Sequence, residues 1–230
     1  MSMPSDRFQA KFKKGIPNLR RQLMRNFRKF KNRGGYKIVW EEFEDKIFDT
    51  VRIFLLDSFP GLRKNDIIQT ETKSSYPDFK VSYNGKLYAI DIKSGAAEKT
   101  EPWYDMGRLD TFERGHTKKY AAEFYITVKY RRVPDHAKAI EVEDIYIEPA
   151  YHSVGFNHDC RCVLYRLYDG KIRPKSWAEF SRGKTYWKTL DTFLIGLARS
   201  RSHRRMTLIQ GWIKEMSVRE KSKIRGWLTD

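Results

Sequence analysis

Asp78, Asp91 and Lys93 are the residues whose types and spacing could do chemistry in this chain. Asn84-Gly85 lies between two runs of strand-forming residues, and this dipeptide favours a tight type I′ turn, which needs a positive φ at both positions. Counting outward from the turn predicts that Asp78 faces Asp91 across a hairpin. Because side chains alternate along a strand, Lys93 should lie on the same face as Asp91. Two carboxylates and one ammonium group are therefore predicted to converge.

This predicted cluster suits a divalent cation. Like charges directly opposite each other destabilise a strand pair, so a positive group should lie between Asp78 and Asp91. Mg²⁺ takes oxygen ligands from one or two carboxylates, keeps several waters and accepts phosphate oxygens from a substrate. The alternative is a surface hairpin with incidental charges, because a lone Asp-x-Lys triplet is common. Pro77-Asp78, the hairpin register and Asp91-Ile92-Lys93 together favour the catalytic interpretation.

The composition indicates a folded protein with a polyanionic partner. The chain has 230 residues, which fits one domain with small appendages. Lys and Arg number 46 against 29 Asp and Glu, giving a net charge of +17 and a pI near 9.8. Hydrophobic residues make up 40%, so the charge belongs to a folded protein and not to a disordered tail. Nucleic acid is the expected partner, and a merely basic surface is the alternative.

Two helices are predicted before the hairpin. Residues Lys11 to Arg33 contain no acidic residue and place apolar side chains at helical spacing, which predicts a basic amphipathic helix within an N-terminal arm of residues 1–35. This arm either lies on phosphates or presents an ordinary solvated face. The second helix is predicted from Val39 to Leu56, and it should end near Pro60-Gly61.

Residues 36–230 are predicted to form one α/β domain whose central mixed β-sheet is flanked by helices. Strand-forming runs lie at residues 79–83, 87–92, 124–130, 145–147 and 162–168. The last third, from Trp187 to Trp227, predicts helices interrupted by the basic run Arg199 to Arg205. Gly211 and Gly226 are expected to be further breaks.

The two cysteines, Cys160 and Cys162, favour a reducing compartment, because their spacing is too short for an ordinary structural disulfide. Zinc binding by these cysteines with His152 and His158 is disfavoured, since the spacing lacks the usual patterns. The chain contains no run of ~20 apolar residues and no apolar signal-peptide core. A soluble, cytoplasmic protein without membrane contact is therefore expected.

Around the hairpin the sequence resembles the PD-(D/E)xK nuclease superfamily, and more narrowly the EcoRV-type type II restriction endonucleases. Pro77-Asp78-Phe79 and Ala89-Ile90-Asp91-Ile92-Lys93 carry this likeness, which continues into Met106-Gly107 and spans Phe43 to Arg205 with gaps. It implies a restriction-endonuclease-like core, Mg²⁺ as the cofactor and double-stranded DNA as the substrate. It further implies hydrolysis of phosphodiesters to 5′-phosphate ends, with cuts in both strands at a short palindromic site.

The resemblance also implies roles for individual residues. Asp78 and Asp91 would bind the metal, helped by the carbonyl of Ile92. Lys93 would orient or deprotonate the attacking water and stabilise developing charge. Glu44 resembles a helical Glu of the family and is the candidate auxiliary carboxylate. Two neighbouring glutamates are close alternatives for that role, namely Glu41 and Glu42.

Further residues are candidate DNA contacts, by resemblance or by charge: Lys73, Ser74, Ser75, Thr111, Arg114, Thr117, Lys118, Arg173, Arg182 and Lys184. The sequence departs from the family in the region that recognises the DNA sequence. The stretch from Gly170 to Lys175 is short and basic, whereas the family has a long loop rich in Gly, Asn and Ser. The recognition sequence therefore cannot be carried over, and the basic segment before Gly34 has no counterpart in the family.

A palindromic site predicts a homodimer in which each subunit cuts one strand. A companion DNA methyltransferase, not in this chain, would accompany a restriction enzyme. Two alternatives stay open. The same fold could serve a repair, nicking or structure-specific nuclease, or it could serve a DNA-binding protein that has lost catalysis. The intact Asp78, Asp91 and Lys93 argue against lost catalysis, and an RNA-binding module is a more distant alternative.

Overall fold

The computed structural model of the chain describes residues 7–27, 36–70, 76–102, 104, 106–109, 119–132 and 140–215. Within the helix that begins at Tyr36, side chains are described from Phe43 onward. In this part of the chain no helix combines the length and the apolar character that a bilayer crossing needs.

A five-stranded mixed sheet forms the centre of the molecule. Its strands lie in sequence order across the sheet: β1 (Ile67–Gln69), β2 (Phe79–Tyr83), β3 (Lys86–Ala96), β4 (Ala122–Arg132) and β5 (Ile140–Pro149). β3 and β4 run parallel, and the other neighbouring pairs are antiparallel. Helices flank this sheet, so the predicted α/β class with a central mixed sheet is confirmed.

Two long helices cover one face of the sheet: α1 (Arg7–Phe27) and α2 (Tyr36–Ser58). Both were predicted as helices, and their apolar side chains share one hydrophobic core with the sheet residues Ile90, Phe124 and Ile126. The helices pack closely at Gly15, where a Cβ atom would lie 2.4 Å from the ring of Phe54. The apolar side of α1 therefore belongs to the main core, and the division of the chain at residue 35 stays a prediction.

A second layer covers the opposite face of the sheet. It contains a short two-stranded sheet, β6 (Phe156–Asn157) with β7 (Cys162–Val163), and two helices, α3 (Trp177–Ser181) and α4 (Leu190–Glu215). The prediction that residues 162–168 belong to the central sheet is wrong. After Val163 the chain turns back, and the amide of Gly170 donates to the carbonyl of Arg166 at 2.8 Å.

Two further expectations about this layer are wrong. The first is that Cys160 and Cys162 lie too close in sequence for a disulfide. They are joined by one, and Arg161 between them has a positive φ of 49°, with the two Cα atoms 5.3 Å apart. The predicted helix breaks at Arg199 to Arg205 and at Gly211 do not occur. Both lie inside the continuous helix α4, where Ser200 on the inner side is fully buried and exposed basic side chains line the outer side.

Candidate active site

The β2–β3 hairpin positions the three residues that the sequence singled out. Asn84 and Gly85 have φ values of 50° and 71°, as a type I′ turn requires. The strand pairing has the predicted register from Tyr83 facing Lys86 to Phe79 facing Ile90. One step further out, Asp78 and Asp91 meet at the open end of the hairpin.

Asp78 and Asp91 are held together by hydrogen bonds to backbone amides. The amide of Ile92 donates to Oδ2 of Asp78 at 2.6 Å, and the amide of Asp78 donates to Oδ1 of Asp91 at 3.3 Å. Asp91 is almost completely buried, at 2% exposure. The carboxyl groups are therefore fixed from two strands at one point, as the hairpin register predicted.

Lys93 supplies the positive charge at this point. Its Nζ lies 2.5 Å from Oδ2 of Asp91, and its side chain keeps 22% of its surface exposed. The contact lacks the direction of a hydrogen bond, so Oδ2 of Asp91 is buried without a hydrogen-bond donor among the described residues. Lys93 thus joins the buried carboxyl group to the open side of the site.

The electrostatics of the site disfavour two ionised carboxylates. Burial, and next the charge of Asp91, raise the pKa of Asp78 to about 7, although the Ile92 amide and Lys93 oppose the shift. Burial also raises the pKa of Glu44 on α2, and the charges of Asp45 and Asp91 add to this rise. Glu44 therefore lies within electrostatic reach of the aspartates. The side chains of the alternatives, Glu41 and Glu42, lie outside the described residues.

Mg²⁺ fits the chemistry of these residues. A cation beside Asp78 and Asp91 would reduce the repulsion between their carboxyl groups, and it could be bound by Oδ2 of Asp91, which has no hydrogen-bond donor among the described residues. Over the described ranges, no group of three or more His, Cys, Asp or Glu side chains is arranged to hold a metal ion. This finding gives no support to zinc at His152, His158 and the cysteines. Two carboxylates nevertheless suffice for Mg²⁺, which keeps several waters.

A wall of aromatic side chains closes the site behind Asp91. Tyr125 pairs with Asp91 in the parallel β3–β4 register, and its ring centroid lies 5.6 Å from Nζ of Lys93. The hydroxyl of Tyr76 donates a hydrogen bond to the carboxylate of Glu123. Burial, more than any neighbouring charge, raises the pKa of both tyrosines, so their hydroxyls stay neutral.

Sequence reasoning did not find this wall. Glu123, Tyr125 and Thr127 alternate along β4 and therefore share one face, which was the available signal. A hydrogen bond of 3.2 Å joins Thr127 to the hydroxyl of Tyr104, which lies in the connection between β3 and β4. That connection has no local pattern that would place its residues against the site.

Comparison with known proteins shows a likeness in the course of the backbone. No family model and no curated protein matches the chain. Among solved structures, it is similar to the NlaIV restriction endonuclease with a TM-score of 0.47 and 14% sequence identity. The match covers 68% of this chain and 63% of that chain, so it spans less than two thirds of that protein. At this identity the likeness concerns the course of the backbone alone.

Three of the predicted DNA contacts lie among the described residues. Arg182 and Lys184 are exposed after α3, and Nζ of Lys184 lies 3.6 Å from the carboxylate of Glu179. Arg173 is only 8% exposed, and its guanidinium donates to the carbonyl of Tyr104 at 3.5 Å. A DNA contact by Arg173 would require this side chain to leave the interior. The other candidates lie outside the described residues: Lys73, Ser74, Ser75, Thr111, Arg114, Thr117 and Lys118.

Proposed function

We propose that this protein is a Mg²⁺-dependent DNA endonuclease of the PD-(D/E)xK type. The observation that supports the proposal most directly is the pair of carboxyl groups from Asp78 and Asp91, held together at the end of a hairpin with Lys93 beside them. One oxygen of this buried pair has no hydrogen-bond donor among the described residues. Such an arrangement is costly for folding alone, and it suits a site that receives a cation together with a substrate.

Each residue of the cluster has a distinct task in this proposal. Asp78 and Asp91, with the carbonyl of Ile92, would hold Mg²⁺, which polarises a phosphoryl oxygen and lowers the pKa of water. Lys93 orients the attacking water or accepts its proton, and its ammonium form stabilises the developing negative charge. Water attacks the phosphorus in line, the bond to the 3′ oxygen breaks, and a 5′-phosphate and a 3′-hydroxyl remain. Glu44 is proposed as an auxiliary carboxylate.

Double-stranded DNA is the proposed substrate. The net charge of +17 favours phosphate-rich partners, and the exposed Arg182 and Lys184 are proposed contacts. We further propose type II behaviour, in which a homodimer cuts both strands at a short palindromic site. A companion methyltransferase and action in the cytoplasm belong to the same proposal.

Cleavage of a long duplex DNA tests the proposal. The purified chain is incubated with Mg²⁺ or with EDTA, the fragments are resolved, and their ends are sequenced. Discrete Mg²⁺-dependent fragments with 5′-phosphates are expected from the parent chain and not from Asp91→Ala. Asp57→Ala, which changes an exposed carboxylate on α2, is the matched control and should cleave normally.

The pattern of the products separates the alternatives. Cuts in both strands at one repeated sequence would support the type II assignment. Single-strand nicks, or cleavage only at branched DNA, would replace it with a nicking or structure-specific nuclease. Tight DNA binding without cleavage under any divalent cation would overturn the enzymatic proposal and favour a DNA-binding protein.

A further inference from the structure

A cavity of about 300 Å³ lies at the end of the sheet where β4 begins and β5 ends. Helix α1 contributes Gln9 and Lys13 to its lining, and the segment that leads into α4 contributes Lys188 and Thr189. None of the residues of the Asp78, Asp91 and Lys93 cluster lines it. The cavity is therefore a separate place at which a small molecule could bind.

The charges around this cavity favour an anion. Lys13 and Lys188 lie on different walls and are exposed, and no carboxylate of the described residues lies within ion-pair distance of either. The one carboxylate of the lining, Glu123, accepts a hydrogen bond from Tyr76. Behind the cavity, burial and then the charges of Lys13 and Lys175 lower the pKa of His152 to about 4. The part of the lining that contains Lys13 and Lys188 therefore favours a negatively charged group.

The inner part of the cavity is aromatic. Tyr151 and Phe193 both line it, and their rings are stacked with a centroid distance of 6.4 Å. Phe193 is fully buried and packs behind Tyr151, whose ring keeps part of its surface exposed. A planar ring can pack against the exposed part of Tyr151.

We propose that this cavity binds a mononucleotide or a similar aromatic phosphate. The phosphate would lie between Lys13 and Lys188, and the base would lie against Tyr151. A volume of about 300 Å³ is at the lower end of the range for small-molecule sites, which fits one nucleotide and not a longer strand. The proposal does not depend on the nuclease function, because the cavity shares no lining residue with the catalytic cluster.

Calorimetric titration of the full chain with 2′-deoxyadenosine 5′-monophosphate, in EDTA, tests this proposal. Saturable binding is expected, and Lys13→Ala and Lys188→Ala should each weaken it about tenfold, because each removes a charge-assisted hydrogen bond. Lys14→Ala is the matched control, since Lys14 is an exposed neighbour on α1 that does not line the cavity. It should bind as the parent chain does, and so should Lys93→Ala in the catalytic cluster.

Two further titrations test the two halves of the ligand. Inorganic phosphate and 2′-deoxyadenosine should each bind more weakly than the nucleotide by at least about tenfold. Phosphate that binds as tightly as the nucleotide would overturn the proposal in favour of a simple anion site. Absence of binding, equal binding by Lys13→Ala and Lys188→Ala, or loss of binding in Lys93→Ala would also overturn it.

Discussion

Two buried pairs of an acidic residue and a lysine lie on the same face of the central sheet. Tyr125 pairs with Asp91 of β3 on one side and with Glu148 of β5 on the other, so the two carboxyl groups flank one tyrosine. Asp91 belongs to the cluster of Asp78, Asp91 and Lys93, which we propose to be catalytic and refer to as the catalytic cluster. Glu148 pairs with Lys175, whose Nζ lies 2.8 Å from its carboxylate. We refer to Glu148 and Lys175 as the structural pair.

The two regions differ in how completely their polar atoms are satisfied. In the structural pair, both oxygens of Glu148 accept hydrogen bonds, one from Lys175 and the other from Ser153 at 2.9 Å. Lys175 has no exposed side-chain surface and also donates to the carbonyl of Lys184 at 2.8 Å. In the catalytic cluster, Asp91 keeps an oxygen without a donor among the described residues, and a second carboxyl group faces it.

This difference indicates different roles for similar residues. A buried ion pair is tolerated when further hydrogen bonds satisfy its remaining atoms, and the structural pair meets that condition. The catalytic cluster does not meet it, and burial together with the charge of Asp91 raises the pKa of Asp78. Polar groups that are left in conflict within a folded protein are expected at functional sites, where a ligand or ion resolves the conflict.

The largest expected effect comes from breaking the catalytic cluster. Asp91→Asn should lower the rate of DNA cleavage by about 10³-fold or more, since the metal's charge stabilisation is worth several kcal/mol. The free energy of unfolding in EDTA should change little, because the lost repulsion with Asp78 offsets the lost ion pair with Lys93. Single-turnover cleavage and urea unfolding of the same preparation measure both quantities. Retention of a tenth or more of the cleavage rate would remove Asp91 from the catalytic machinery.

Breaking the structural pair should have the opposite pattern. Lys175→Met leaves Glu148 buried without its cation and should destabilise the fold by about 3–5 kcal/mol. The double variant Lys175→Met with Glu148→Leu removes both charges and should recover much of this loss. Urea unfolding at neutral pH measures the change, and cleavage per folded molecule should remain close to that of the parent chain. A loss below ~1 kcal/mol would show that the pair does not stabilise the fold.

The pH dependence of stability should separate the two regions further. Because the pKa of Asp78 is about 7 when folded and near its ordinary value when unfolded, the folded protein binds more protons between these values. The contribution of Asp78 to stability in EDTA should therefore fall as the pH rises from about 4 to about 7. The difference between the parent chain and Asp78→Asn isolates it, because the lowered pKa of His152 has the opposite effect on total stability over this range. Asp78→Asn should flatten this dependence and should be more stable than the parent at pH 8, by on the order of 1–3 kcal/mol.

Addition of Mg²⁺ provides the control for this experiment. At pH 8 the ion should raise the unfolding temperature of the parent chain and leave Asp91→Ala unchanged, because only the intact pair of carboxylates binds it well. A difference in stability in EDTA between the parent chain and Asp78→Asn that stays constant over the same pH range would show that the pKa of Asp78 is not raised in the folded protein.

The catalytic cluster could be predicted from the sequence, and the structural pair could not. Asn84-Gly85 fixes the register of an antiparallel hairpin locally, so the meeting of Asp78 and Asp91 follows from counting residues. β3 and β4 pair in parallel although they are far apart along the chain, so their register depends on packing and has no local signal. Tyr125 could not be placed for that reason.

Charged residues of the second layer show a similar limit of pattern reasoning. The stretch from Gly170 to Lys175 has the composition of a solvated basic loop, yet Arg173 and Lys175 point inward. Lys175 meets a carboxylate 27 positions away along the chain, and only the folded structure brings the two together. The burial of a charged side chain therefore depends on a distant partner that composition does not reveal.

The smallest expected effect concerns the tyrosine that lies between the two regions. The ring of Tyr125 lies below Nζ of Lys93, and a cation–π contact of this kind is worth roughly 0.5–1 kcal/mol. Tyr125→Leu removes the ring and should lower kcat for cleavage about two- to fivefold, with KM little changed, because Lys93 loses a surface that positions it. Tyr125→Phe keeps the ring and loses only the hydroxyl, so it should stay close to the parent rate. If Phe and Leu lower kcat equally, the ring does not position Lys93, and the hydroxyl or the packing of β4 is responsible instead.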